Sequence, residues 1–152
     1  MTRFDTLFCL RYAERVLERY SRFWDRADKT IRFFSLLSGS ASFAALMTQN
    51  KALSLALGIS FAVFQALEFS LSPSTIAAHA KSNTKLYSDI LSRQDGLSDQ
   101  EMKKAYNQID DDIVVPESFR KAAYNDVVLE KGSSDVNLYK LSAWHQIIST
   151  IS

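Results

Sequence analysis

The sequence predicts an all-α fold built on a long hairpin of two apolar helices, with further helices around it. Only four glycines and two prolines interrupt 152 residues, which favours long helices over many short strands. Apolar residues recur at steps of three and four, the spacing of a helical face. Of the 18 basic and 17 acidic residues in the chain, only one of each lies in residues 33–80. The middle of the chain is therefore nearly free of charge.

The first predicted helix covers residues 5–32 and is basic and amphipathic. We expect it to continue into the apolar segment that follows, because no glycine or proline lies between Phe4 and Ser38. Its apolar face comprises Ala13, Leu17, Tyr20, Trp24, Ala27, Ile31 and Phe34. Opposite charges four residues apart, in the favourable order, stabilise such a helix. The pairs are Glu18 with Arg22, Asp25 with Lys29 and Asp28 with Arg32.

Residues 33–72 predict the hairpin, with a turn at "TQNK" over residues 48–51. Residues 33–50 and 52–67 are free of charge. A bilayer core of about 30 Å needs roughly 20 helical residues, with a lower limit near 17, so both helices are near the minimum length for crossing. The predicted membrane-facing residues are Phe33, Phe34, Leu36, Leu37, Phe43, Leu46, Leu57, Ile59, Phe61, Val63, Phe64 and Leu67.

Both predicted helices of the hairpin are apolar around most of their circumference. Such helices lie either in lipid or fully enclosed by protein, and a chain of this size has few other elements to enclose two of them. Alternatively, an oligomer encloses them. Ser35 and Gly39, like Ser54 and Gly58, form small-xxx-small patches of the type that close helix contacts in membranes use.

Residues 73–152 predict a C-terminal helical region. Ser72 and Pro73 are expected to begin a helix that ends near Gly96, and Ser98 with Glu101 has the spacing of a capping box. A helix over residues 116–132 and a last one over about 135–148, with Tyr139, Trp144, Ile147 and Ile148, complete the prediction. We therefore expect three segments, 1–32, 33–72 and 73–152, in a single domain overall.

Basic residues flank the apolar segment on both sides. If the segment crosses a membrane, the positive-inside rule puts both flanks and both termini in the cytoplasm. The alternative is a solvated coiled-coil face, since acidic residues alternate with these cations and residues 1–32 carry a net charge of only +3. The basic-flank residues are Arg19, Arg22, Arg26, Lys29, Arg32, Lys81 and Lys85.

No catalytic or metal-binding constellation is evident, so we expect neither an enzyme nor a cofactor. Cys9 has no neighbouring histidine, and His79 and His145 have no ligands at metal spacing. Residues 110–112 are three consecutive aspartates, whose side chains are expected to point in different directions. We therefore expect a solvated acidic turn there and not a metal site. Asn125 lies in an apolar stripe, where it is expected to pack against the preceding helix or, alternatively, to contact a ligand. The mixed charges also argue against nucleic-acid binding.

Several segments together resemble one known family. They are "YSRFWDRADKTIR", the apolar hairpin, "AHAKSNTKLYSDIL", "LSDQEMKKAYNQIDDDIVVP" and "FRKAAYNDVV", in this order over residues 12–132. Their arrangement is similar to the SLATT family, small bacterial proteins with two transmembrane helices that act as effectors in antiviral conflict systems.

The resemblance implies a bacterial inner-membrane protein that assembles into oligomers and perturbs the membrane after a signal from an upstream sensor or nucleotide-producing enzyme. A second hypothesis is a soluble or peripheral interaction module in the cytoplasm. In that case the apolar hairpin is buried in a homodimer or against a partner protein.

Overall fold

The computed structural model describes residues 2–48, 50–109, 112–130, 132 and 138–141; most of these are helical, and none of them lies in a strand. This confirms the all-α prediction. The helices are α1 (Arg3–Met47), α2 (Lys51–Leu71), α3 (Pro73–Ser92), α4 (Asp99–Asn107) and α5 (Glu117–Glu130), with a short 3-10 helix (Gln94–Gly96) between α3 and α4.

Helix α1 is continuous over 45 residues, as the absence of helix-breaking residues predicts. The three predicted ion pairs along its surface all form. Lys29 Nζ lies 2.6 Å from Asp25 Oδ2 and Arg32 Nε lies 3.0 Å from Asp28 Oδ2, while Arg22 pairs with Glu18. The predicted basic amphipathic helix and the first apolar segment are therefore one element.

The hairpin turn begins after Met47, in the predicted stretch. The side chain of Asn50 caps α2 by accepting a hydrogen bond of 3.1 Å from the N–H of Leu53. At the other end of α2, Ser72 adopts a left-handed conformation with φ 44°, and its N–H donates to the carbonyl of Glu68. Pro73, whose fixed φ suits the first position of a helix, then opens α3.

The segments after α3 follow the predictions up to Gly132. Helix α3 ends at Ser92, four residues before Gly96, because the chain tightens into the 3-10 helix. Ser98 and Glu101 form the predicted capping box, and α5 occupies residues 117–130 of the predicted 116–132.

The predicted last helix over residues 135–148 is wrong for the part the structure describes, because residues 138–141 are irregular. Trp144, Ile147 and Ile148 lie outside the described residues.

The chain divides into two compact units, one of Met1–Phe23 with Ala77–Ser152 and one of Trp24–Ile76. The boundaries of these units, after Phe23 and after Ile76, are set by how the chain packs. The predicted boundaries at residues 32 and 72 were set by the distribution of charge along the sequence. The first unit has an ordinary core of apolar side chains. Its largest fully buried ones include Leu10, Leu17, Met102 and Val127, and Phe119 packs edge-on against Tyr20 with 5.3 Å between ring centroids.

Candidate functional site

The second unit is an antiparallel pair formed by the C-terminal part of α1 and by α2. Their contacts keep one register: Arg32 lies opposite Glu68, Ser35 opposite Gln65 and Gly39 opposite Phe61. Further towards the turn, Ser42 lies opposite Gly58. Because these positions are three and four residues apart on each helix, they form one contact stripe along both.

The contact stripe consists mainly of small or polar residues. A Cβ atom added to Gly39 would lie 3.3 Å from Phe61 Cδ2, and one added to Gly58 would lie 3.7 Å from Ser42 Oγ. The two predicted small-xxx-small patches thus lie at this helix contact. Small residues allow the backbones to approach closely, as in membrane helix pairs.

Hydrogen bonds and one ion pair also hold α1 to α2. Gln65 Nε2 donates to Ser35 Oγ at 2.5 Å, and the hydroxyl of Ser42 donates to the backbone carbonyl of Ser54 at 3.2 Å. At the end of the pair far from the turn, Arg32 Nε lies 3.4 Å from Glu68 Oε1. These interactions satisfy polar groups inside the pair that neither lipid nor an apolar partner could satisfy.

The large apolar side chains of this unit point outwards. Of the nineteen large apolar residues that are exposed in the described part of the chain, fourteen lie in residues 33–71. We call these fourteen the apolar surface. They are Phe33, Phe34, Leu36, Leu37, Phe43, Leu46, Leu53, Leu55, Ile59, Phe61, Val63, Leu67, Phe69 and Leu71.

Ten of the twelve residues predicted to face a membrane belong to the apolar surface, and Leu57 and Phe64 are partly exposed. Four residues of the apolar surface are absent from the predicted set, namely Leu53, Leu55, Phe69 and Leu71. Phe69 is the most exposed of the fourteen at 88%, and it follows Glu68, where the predicted apolar run ends. The uncharged stretch that resumes after Glu68 was the signal that could have found it.

Burial in the second unit is the reverse of burial in the first. The buried residues among those described between 24 and 76 are small, polar or proline: Asp28, Ser35, Ser38, Ala45, Ser54 and Pro73. A soluble protein of ordinary composition exposes an apolar patch of a few hundred Å² at most. The second unit therefore differs from the first in having buried serines between its helices and an apolar exterior.

By length and composition, one helical stretch among the described residues could cross a membrane, namely Lys51–Ser92, which contains α2 and α3. Only 6% of its most apolar part is buried. The apolar part of α1 does not meet the same criterion over its described residues. Its hydropathy is lowered by Ser35, Ser38, Ser40 and Ser42.

Much of the predicted basic flank on α1 is neutralised by carboxylates. Arg19 donates two hydrogen bonds to Asp126 on α5, Nε to Oδ2 at 2.7 Å and Nη2 to Oδ1 at 3.0 Å. Arg11 and Arg15 both pair with Glu130, at 3.1 and 3.4 Å. Arg22, Lys29 and Arg32 have the partners described above.

Burial acts to lower the pKa of Arg15, but the hydrogen bonds and negative charge of Glu18 and Glu130 outweigh it and raise that pKa. Arg15 is therefore held in its charged form. These α1 cations serve chiefly to attach α5 to α1 and to stabilise α1 itself.

Asn125 has a structural partner, although not on the preceding helix. Its Nδ2 donates to the carbonyl of Tyr139 at 2.9 Å, and its Oδ1 accepts from the N–H of Tyr139 at 2.8 Å. The Asn125 side chain thus makes two hydrogen bonds to the backbone of Tyr139. The ring of Tyr139 packs edge-on against the ring of Tyr124.

The other candidates from the sequence remain isolated. Cys9 is partly buried, and His79 and Asp112 are exposed. Asp110, Asp111 and His145 lie outside the described residues. No group of three or more possible metal ligands occurs in the part of the chain that the structure describes.

No protein-family model, curated protein sequence or solved structure matches the chain.

Proposed function

We propose that the chain is a membrane-associated helical effector whose hairpin, residues 33–72, enters a lipid bilayer. The observation that carries this proposal is the reversed burial of the second unit, where Ser35, Ser38 and Ser54 are buried and most of the large apolar side chains are exposed. Water does not stabilise such an arrangement, whereas acyl chains do.

The energetics of the apolar surface support this proposal. Full transfer of a Val, Leu, Ile or Phe side chain from water contributes about 1.5–3 kcal/mol. Since the fourteen residues are on average about half exposed, their transfer is worth on the order of 10–20 kcal/mol. The one acidic and one basic side chain near the open end, Glu68 and Arg32, form an ion pair, which lowers their cost near the interface.

The length of the hairpin suggests how it would disturb a membrane. Residues 33–47 of α1 rise about 22 Å at 1.5 Å per residue, and the whole of α2, Lys51–Leu71, rises about 31 Å. A hydrocarbon core is about 30 Å thick, so the apolar part of α1 is shorter than the core and limits the length of the hairpin. A hairpin this short thins the surrounding bilayer or associates with further copies, because either response reduces the mismatch.

The SLATT resemblance supplies the biological setting of the proposal. In that setting the protein lies at a bacterial inner membrane with both termini in the cytoplasm. It assembles into homo-oligomers and perturbs the membrane when an upstream sensor or nucleotide-producing enzyme signals infection. The helices that follow the hairpin, α3 to α5, would hold it before the signal and release it afterwards.

Fractionation of expressing cells tests the proposal. We expect the protein in the membrane fraction, resistant to a high-salt wash and released by detergent. Val63→Asp should move a large share into the soluble or aggregated fraction, because it places a charge on the apolar surface, where Val63 is 51% exposed. Lys103→Asp, at an exposed position of α4, is the matched control. Recovery of the unmodified protein as a soluble monomer without detergent would contradict the proposal.

A second candidate function is a soluble or peripheral interaction module. One observation favours it, namely that the apolar part of α1 is not apolar enough to meet the criterion for crossing a membrane. In this case the apolar surface is buried between two copies or against a partner. Light scattering in detergent-free buffer separates the two candidates, since a discrete soluble dimer supports the module.

A further inference from the structure

The two basic flanks of the hairpin differ in how their cations are paired. On α1, seven cations have carboxylate partners within 4 Å among the described residues. On α3, Lys81 and Lys85 are exposed, and neither has an ion pair among the described residues.

The local sequence explains why these two lysines have no internal partner. No acidic residue lies between Glu68 and Asp89. Asp89, four residues after Lys85, is engaged by Arg93, whose Nε donates to Asp89 Oδ1 at 3.2 Å. The positive charges of Lys81 and Lys85 are therefore not balanced on their own helix.

The lysines share one face of α3. Ser74, Ala78, Lys81 and Lys85 are separated by four, three and four residues, which aligns them along one side, and all four are exposed. The opposite side carries the buried residues Ala80, Asn83 and Tyr87. Ser74 and Ala78 have small side chains, so neither of them obstructs this face.

The position of the lysines in the chain indicates their partner. Helix α3 begins two residues after Leu71, the last residue of the apolar surface. Along α3, Lys81 lies about 12 Å and Lys85 about 18 Å from Pro73. Flexible lysine side chains next to a membrane-entering segment meet the phosphate groups of lipids, and this attraction extends over a Debye length of about 8 Å.

We propose that Lys81 and Lys85 bind anionic phospholipid headgroups and give the protein its preference for negatively charged membranes. This inference rests on the proposed membrane function and adds a lipid class and two residues to it. The α1 flank contributes little to this preference, because its paired cations would first have to leave their carboxylate partners.

Vesicle partitioning of the full chain tests the proposal. Vesicles of phosphatidylcholine alone are compared with vesicles that also contain phosphatidylglycerol, at low and high salt. We expect tighter partitioning onto the anionic vesicles at low salt. Lys81→Gln with Lys85→Gln should weaken partitioning onto the anionic vesicles by about fivefold per lysine, on the order of 25-fold together, and leave binding to phosphatidylcholine unchanged.

The control is Lys103→Gln with Lys104→Gln, which removes the same charge from exposed positions of α4. Lys and Gln have similar helix propensities, so both double variants should keep their helices. Equal partitioning of the unmodified protein onto the two kinds of vesicle, or equal losses in both double variants, would overturn the assignment of the lysines while the hairpin proposal stands. Absence of binding to either kind of vesicle would overturn the membrane function itself.

Discussion

At Gly39 the two helices of the hairpin leave little room, because an added Cβ atom would lie 3.3 Å from Phe61 Cδ2. We therefore expect Gly39→Leu to weaken the α1–α2 contact by about 1–3 kcal/mol, the usual cost of overpacking. A disulfide between cysteines introduced at Ser42 and Gly58, in a Cys9→Ser background, reports on this contact. Its rate of formation should fall about tenfold in the Gly39→Leu variant.

Ser40→Leu is the matched control for Gly39→Leu. Ser40 is the next residue on α1 but is exposed, so a larger apolar side chain there should leave the disulfide rate unchanged. Equal rates in the Gly39→Leu and Ser40→Leu variants would show that Gly39 does not lie at the contact.

Glu101 is the residue at which pH acts on local structure. Its Oε2 accepts hydrogen bonds from the hydroxyl and the N–H of Ser98, and these hold the pKa of the Glu101 carboxyl below its ordinary value. A lowered folded-state pKa means that the stabilisation is complete above the ordinary glutamate pKa and is lost as pH falls through the lowered one. NMR titration of the Glu101 carboxyl carbon should give this low pKa, and Ser98→Ala should raise it.

Ser92→Ala is the control for the titration, since the Ser92 hydroxyl donates to the carbonyl of Asp89 and not to Glu101. An unchanged Glu101 titration in the Ser98→Ala variant would contradict the capping box as the source of the shift.

At the scale of elements, the pair of Arg19 and Asp126 links α1 to α5. The geometry is bidentate, and the Arg19 side chain is only 19% exposed, so we expect this pair to be stronger than an ordinary surface pair. A double-mutant cycle with Arg19→Gln and Asp126→Asn, measured by urea unfolding, should give a coupling free energy of about 1 kcal/mol, since Asp126 remains partly solvated.

The pair of Arg93 and Asp89 on α3 provides the comparison for this cycle. Its side chains are 66% and 56% exposed, so its coupling free energy should be about 0.3–0.5 kcal/mol, typical of exposed pairs four residues apart. A coupling for Arg19 and Asp126 no larger than this would mean that the ion pair does not hold α5.

The helices were predictable from the sequence wherever local interactions decide them. The uninterrupted run before Gly39 predicts α1, and the Ser98–Glu101 spacing predicts the start of α4, because helix continuity and capping depend on neighbours in sequence. The bond between Asn125 and the backbone of Tyr139 was not predictable, since it joins residues fourteen positions apart in the chain.

At the scale of the whole molecule, the chain combines two kinds of interior. The first unit buries large apolar residues such as Leu10 and Val127, and the second buries serines and exposes phenylalanines and leucines. The sequence identified ten of the fourteen residues of the apolar surface, because charge is nearly absent from that part of the chain. It could not show which side of α1 faces α2, because both helices are apolar around most of their circumference. The contact depends on which small residues of α1 lie opposite small residues of α2.

The accessibility of the apolar surface in liposomes tests the central claim most directly. Single cysteines replace Leu36, Val63 or Ser88 in a Cys9→Ser background, and each carries a nitroxide label. For each label we compare the collision rate with oxygen, which dissolves in lipid, and with a water-soluble nickel chelate. The account predicts that labels at residues 36 and 63 collide mainly with oxygen, and that the label at exposed residue 88 on α3 collides mainly with the chelate. Labels at 36 and 63 that collide mainly with the chelate, or with neither reagent, would contradict it.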